Sequence, residues 1–203
     1  MFEILVDKYN KAGKHSEEED LKKCGYKLTK VCLPVGDYCA KTNKLEEMLE
    51  IYRNEEYTQR RYHDDYSKSI LSKLDFVGTY TIAVDVKLSF NELEKNLLLS
   101  KKGNRYRFER ELLRAKNLGI KLITIIADDD YRTFEELEYF QSDGSGRSCG
   151  EAMKRRMAEL MRKYGCEFYL VSRDKLAQAI IYWLSQEPLL KSSYNQNIFQ
   201  VAN

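Results

Sequence analysis

The chain has no apolar run that approaches the roughly 18 residues of a membrane span. Its opening, MFEILVDKYN, holds an apolar stretch too short for a secretory signal, with no basic segment before it. No membrane association is therefore expected. Cysteine pairs are also missing. The five cysteines (Cys24, Cys32, Cys39, Cys149, Cys166) form no Cys-x-x-Cys motif. The odd count argues against a closed disulfide framework, and the spacing argues against zinc. A reducing cytoplasm is the natural setting for such a chain. Charge of one sign is lacking too: the formal net charge is +2. Contact with nucleic acid would have to come from local patches. There is no internal repeat, and SDGSGRSCG (142–150) is the only Gly/Ser-rich segment. It lacks the Gly-Lys-Ser/Thr ending of a phosphate-binding loop and reads as a flexible loop, with Arg147 a possible DNA contact.

What is present is a globular composition, 33% charged and 43% hydrophobic over 203 residues, enough for one domain with a sizeable core. EILVD (3–7) reads as a buried strand. SEEEDLKKCG (16–25) reads as a helix with Ser16 as N-cap and Gly25 as stop. YKLTKVCLPVGDYCAK alternates, turns at LPVG and resumes, which predicts a β-hairpin with Asp37 just past the turn. From Lys44 to about Lys73 charge and Tyr dominate, with Tyr62, Tyr66 and Ile70 at helix period. Helices follow in FNELEKNLL and RYRFERELLRAKNLG, then the strand IKLITIIAD, a short helix in YRTFEELEYF and a helix over 151–164. The strand EFYLVS and a final helix DKLAQAIIYWLSQ complete the pattern. Strands alternating with helices predict an α/β domain with a mixed sheet. From Glu187 no period remains, and a loose tail over 187–203 is expected.

AVDVK (83–87) raises a chemical question. At strand period Asp85 and Lys87 share one face while Val84 and Val86 share the other. Asp-x-Lys on a strand commonly forms a solvated ion pair. Here the other face is apolar, and two further acids, Asp7 and Asp37, end or follow strands. Paired carboxylates with strand carbonyls are hard oxygen ligands suited to Mg²⁺ or Mn²⁺. A neighbouring Lys adds a cation that can position a nucleophile and neutralise charge.

The stretches EILVD, CGYKLTKVCLPVGDY, TIAVDVKLSFNEL and NRYRFERELLRAKNLGIKLITIIAD together resemble the nuclease domain of XPF-type structure-specific endonucleases, within the PD-(D/E)XK superfamily. The resemblance runs from Glu3 to about Ser185, interrupted between 42 and 78. LPVGDY, with CGYKL before it, is its most specific piece. It implies a restriction-endonuclease-like mixed sheet flanked by helices, spanning 1–186, with a helical insertion at about 42–78. It further implies that Asp37 binds metal, that Asp85, Val86 and Lys87 stand where the family has Glu-Arg-Lys, and that Asp7 is a supporting acid. An Arg and a Gln of the following helix fall on Arg105 and Glu109. Asp at 85 is one methylene shorter than Glu, Val86 replaces Arg, and the chain ends without the tandem helix-hairpin-helix module of many relatives.

The expected function is a metal-dependent DNA endonuclease acting on branched or structured DNA. Asp37 and Asp85 would hold Mg²⁺ or Mn²⁺ with the Val86 carbonyl, and Lys87 would orient or activate water. Asp7 would support them, through a water or as a partner to Lys87. A homodimer or a partner subunit is compatible with this reading. Arg107, Arg110 and Arg114 form a basic stripe on the helix over 104–118 that, with Arg105, could meet phosphates. The same stripe could be an ordinary solvated face paired with Glu109 and Glu111. RRYHDDY (60–66) brings His63 beside two acids, but adjacent residues do not share a helix face. Some of the 15 Tyr could stack on unpaired bases, although core packing is the commoner use. Forty-seven residues lie between Asp37 and Asp85, so the insertion must root near the site and could wall the DNA groove. Two other functions fit the residues: a catalytically inactive DNA-binding or scaffold domain, and a sequence-specific restriction-type enzyme.

Overall fold

Six short strands are brought into one mixed sheet whose two faces are both apolar. The structure is a computed structural model that describes residues 1–8, 17–51, 76–98, 104–142 and 148–190, and only the backbone of 104–106. In chain order the elements are β1 (Ile4–Asp7), α1 (Glu17–Lys23), β2 (Leu28–Val31), β3 (Tyr38–Ala40), and a helix α2 that includes 43–51. They continue with β4 (Ile82–Lys87), α3 (Phe90–Leu97), α4 (Asn104–Leu118), β5 (Lys121–Ala127), α5 (Gly150–Tyr164), β6 (Glu167–Val171) and α6 (Leu176–Leu184). Tyr62, Tyr66, His63, Ser16, Arg147 and most of the 42–78 insertion lie outside the described residues.

The strand order is β2-β1-β3-β4-β5-β6. β1 runs parallel to β2 and antiparallel to β3, which is antiparallel to β4; β4, β5 and β6 run parallel. The result is α/β, as expected. On one face Ala83, Leu122 and Ile126 meet Phe90, Leu93 and Leu97 of α3, Phe108 and Leu112 of α4, and Met153 and Leu160 of α5. On the other, Val84, Val86, Ile123 and Ile125 meet Leu21 of α1 and Leu176, Ile180 and Leu184 of α6. β5 can be an unbroken apolar run because both its faces are covered. Gly119 at φ 71° ends α4 where an L side chain would be strained.

Three expectations are corrected. β2 and β3 do not form a hairpin, because β1 lies between them and pairs with both. The connection over 32–37 therefore crosses the end of β1 and spans two strand spacings, roughly 10 Å. Local alternation reveals two strands but not which strand each one pairs with. The residues after α6 also begin attached. Glu187 is fully buried, and its carboxylate accepts from Thr81 N (2.7 Å), Thr81 Oγ1 (2.9 Å) and Ile82 N (2.9 Å). It ties the chain to the start of β4, so 187–190 are not loose; residues 191–203 lie outside the described residues. The short helix expected near 131–140 is a 3-10 turn, Glu135–Tyr139. All five cysteines are free. Among the described residues no helix is long and apolar enough to cross a membrane.

Candidate metal and nuclease site

The period-2 logic of AVDVK holds in three dimensions. Val84 and Val86 pack toward α6, and Asp85 and Lys87 point to the α4 side. Both charged groups are buried, at 4% and 8% exposure. Lys87 Nζ sits 2.6 Å from Asp85 Oδ1 and 5.8 Å from the centre of the Phe108 ring. The second Asp85 oxygen is 3.5 Å from the Thr124 hydroxyl, a weak contact.

Asp37 reaches the same strand from the β3 side. Its backbone N–H donates to Val84 O (2.8 Å), and its Oδ2 accepts from Val86 N (2.8 Å). The N–H and C=O of one strand residue leave on the same edge. The Val86 carbonyl therefore lies on the edge that Asp37 occupies. Gly36 makes this approach possible. Its φ is 78°, and a Cβ there would stand 2.9 Å from the Ala83 Cβ and 3.0 Å from Val84 O. Asp7 is half-buried; its Oδ1 accepts from Leu33 N (3.2 Å), and its own N–H donates to Asp37 O (2.8 Å). It thus braces the chain leading into Asp37.

One acid was placed wrongly by sequence. Glu109 faces α5, where it accepts from Arg156 (2.9 Å), Lys163 (2.9 Å) and the Tyr164 hydroxyl (2.8 Å). Two residues further round the helix, about 200° away, Glu111 faces the site and its Oε1 accepts from Gly36 N (3.0 Å). The spacing Phe108, Glu111, Leu112, Ala115 is i, i+3, i+4, i+7, so the helix phase held this signal. Arg107 and Glu111 keep the four-residue separation that the resemblance assigned to Arg105 and Glu109. The Arg105 side chain is outside the described residues. Glu92 was also missed. Ser89 caps α3 by accepting from Glu92 N (3.2 Å), and Glu92 Oε2 accepts from Leu88 N (3.0 Å), next to Lys87.

The stripe on α4 divides. Arg107 and Arg110 are exposed, whereas Arg114 is half-buried and its Nε donates to Pro34 O (2.7 Å). Of the tyrosines considered for base stacking, Tyr38 and Tyr80 are fully buried; the Tyr38 hydroxyl donates to Glu17 Oε1 (2.9 Å).

The electrostatics follow from burial among acids. Burial pushes the Asp85 carboxyl above its usual range; Lys87 opposes the shift, and Glu111 and Glu92 add to it. Burial would lower the Lys87 ammonium, but Asp85, Asp37 and Glu111 outweigh it and raise its pKa. Lys87 is therefore a cation at neutral pH. Around this one ammonium the acids are in excess, an arrangement that a further cation would relieve.

Among the described residues, no three His, Cys, Asp or Glu side chains converge on one point. That does not fit a Zn²⁺ site or a Ca²⁺ cage. It fits Mg²⁺, which is commonly held by one or two carboxylates, with waters and substrate phosphates completing the octahedron. Asp37, immediately before β3, and Asp85, in the adjacent β4, would supply those carboxylates.

No protein-family model matches the chain, and no curated protein matches it. Solved structures do. XPF from Aeropyrum pernix is similar over 91% of this chain, with 14% identity and a TM-score of 0.53. A second structure of that protein, in complex with DNA, is similar over 92% of this chain, with 16% identity and a TM-score of 0.50. The chain spans 60% and 64% of the length of those two structures. The fold is that of an XPF-like nuclease.

Proposed function

We propose that the protein is a metal-dependent endonuclease that hydrolyses phosphodiester bonds in branched or structured DNA. One observation carries this reading: the Asp37 carboxylate docks on the β4 edge at Val86 while Asp85 and Lys87 stand on either side of Val86 in the same strand. A sheet end that brings two carboxylates, a strand carbonyl and a buried ammonium together suits phosphodiester hydrolysis. Asp37, Asp85 and the Val86 carbonyl would hold Mg²⁺ or Mn²⁺. Such an ion supplies Lewis-acid stabilisation of the charge that develops on the phosphate. Lys87, beside Asp85, would orient or activate the attacking water and offset charge on the phosphate. Asp7 acts through the chain it braces. Arg107 and Arg110, exposed on α4, would meet phosphates.

A second reading has a specific observation behind it. Lys87 already neutralises Asp85 at 2.6 Å, as it would in a DNA-binding domain that keeps the fold without the activity. One assay separates the two: incubate flaps, forks and plain duplex with Mg²⁺, Mn²⁺ or a chelator. Divalent-dependent cleavage of the branched substrates, lost in Asp85→Asn, supports the endonuclease. Binding to those substrates without cleavage supports the inactive domain. Cleavage of plain duplex at a fixed sequence supports a restriction-type enzyme.

A further inference from the structure

The segment Leu33–Asp37, LPVGD, has no regular structure, yet its backbone is held at every residue by a different group. Leu33 N donates to Asp7 Oδ1 (3.2 Å), and Pro34 O accepts from Arg114 Nε (2.7 Å). Val35 O accepts from the Tyr80 hydroxyl (3.1 Å), Gly36 N donates to Glu111 Oε1 (3.0 Å), and Asp37 N donates to Val84 O (2.8 Å). Two of these groups have no chemistry of their own to perform at the site. Tyr80 is fully buried in the apolar core beside Val35. A Phe would fill the same space, and burying a hydroxyl is costly unless it is bonded. Its one advantage there is a donor for the Val35 carbonyl. Arg114 stands one turn after Glu111, so α4 grips Pro34 and Gly36, two alternate residues of the segment.

We propose that Tyr80 and Arg114 are positioning residues for the metal-binding carboxylate of Asp37. They fix the Val35 and Pro34 carbonyls, and so set where Asp37 meets β4. This rests on the endonuclease reading above. A carboxylate on a loose segment would sample many positions, and small displacements at a reacting centre are expensive. Groups one step behind a metal ligand commonly change metal affinity by about 10–100-fold when removed.

The test uses the full chain without DNA. Mn²⁺ affinity is measured by the electron paramagnetic resonance signal of free Mn²⁺, beside the thermal midpoint, for wild type, Tyr80→Phe, Arg114→Met and Asp37→Asn. Ile180→Val, on the opposite face of the sheet, is the control for a small loss of stability. Tyr80→Phe and Arg114→Met are each expected to stay folded and to weaken Mn²⁺ by about tenfold, with Ile180→Val binding as wild type. If both variants lower the midpoint but bind Mn²⁺ as wild type, their role is packing alone and the inference is overturned. If wild type takes up no Mn²⁺, or Asp37→Asn binds it as wild type does, the metal reading itself fails and takes this inference with it.

Discussion

Lys87 and Asp85 are locked together at 2.6 Å inside the protein, two residues apart on one face of β4. Removing either partner has a distinct signature. Asp85→Asn keeps the shape and removes the negative charge, so cleavage should fall by about 10²-fold or more with the fold retained. Lys87→Ala should also lose turnover but keep Mn²⁺ binding. It leaves Asp85 buried without its cation, which costs about 3–5 kcal/mol. Mg²⁺ should recover part of that loss by binding the folded state. Unfolding in urea with and without Mg²⁺, beside cleavage rates, checks both. Near-normal turnover in Asp85→Asn would remove β4 from the active site.

Gly36 offers a sharper test of geometry. An alanine there faces a φ of 78°, the Ala83 Cβ at 2.9 Å and Val84 O at 3.0 Å. The strained backbone alone costs on the order of 1–3 kcal/mol. Gly36→Ala should therefore lose both stability and cleavage. Ala83→Gly in the same chain removes one of the two contacts and neither the strained φ nor the close carbonyl. Its rescue should be partial in stability and smaller still in cleavage. Complete rescue would mean that the contact with Ala83 was the whole constraint.

Sequence revealed what is local. The apolar run of β5, the alternation of β4 and the Gly119 stop each depend on neighbours in the chain, and each was legible. The misread features are non-local. Strands β2 and β3 alternate like a hairpin, yet β1, more than twenty residues before β3, comes between them. Glu109 and Glu111 look alike in a charged helix, and only the phase set by Phe108 and Leu112 separates the α5 side from the site side. Tyr80 is one of many tyrosines until Val35 is placed beside it. Asp85 was legible as a candidate because an acid is unusual inside an apolar strand, Asp7 because it ends one, and Asp37 because it sits in the LPVGDY stretch. The groups that hold them in place are ordinary residues with long-range partners.

Glu187 is the clearest of these long-range partners. Its carboxylate serves three donors at the start of β4, from a position about a hundred residues later in the chain. Glu187→Ala leaves the Thr81 and Ile82 N–H groups without that acceptor in a buried place. The loss should be about 3 kcal/mol, since each unmet buried group costs about 1–3 kcal/mol. Glu187→Gln keeps an acceptor oxygen and should lose less. Denaturant unfolding of both variants orders them; equal stability of wild type and Glu187→Ala would return this residue to a loose tail.

The Glu109 cluster predicts a pH dependence with a definite sign. The Lys163 ammonium and the Tyr164 hydroxyl hold the Glu109 carboxyl down to about 2, burial opposes them, and Arg156 adds to the lowering. The unfolded chain should titrate this group near the ordinary 4.5. Between those values the unfolded state binds more protons, so stability rises with pH across the window. The contribution is full above about pH 4.5 and is lost as pH falls through about 2. Glu109→Gln removes the charge and with it this contribution, and it leaves the buried Arg156 with Glu159 as its remaining acidic partner. The variant's thermal midpoint should lie a few degrees below wild type at pH 7. The gap should narrow as pH drops below 4.5 and close only below about pH 2, where both proteins carry an uncharged side chain at this position. Midpoints at pH 7, 5, 4 and 3 trace that convergence. A gap that stays constant with pH would mean that the α4–α5 contact depends on side-chain shape and not on the Glu109 charge.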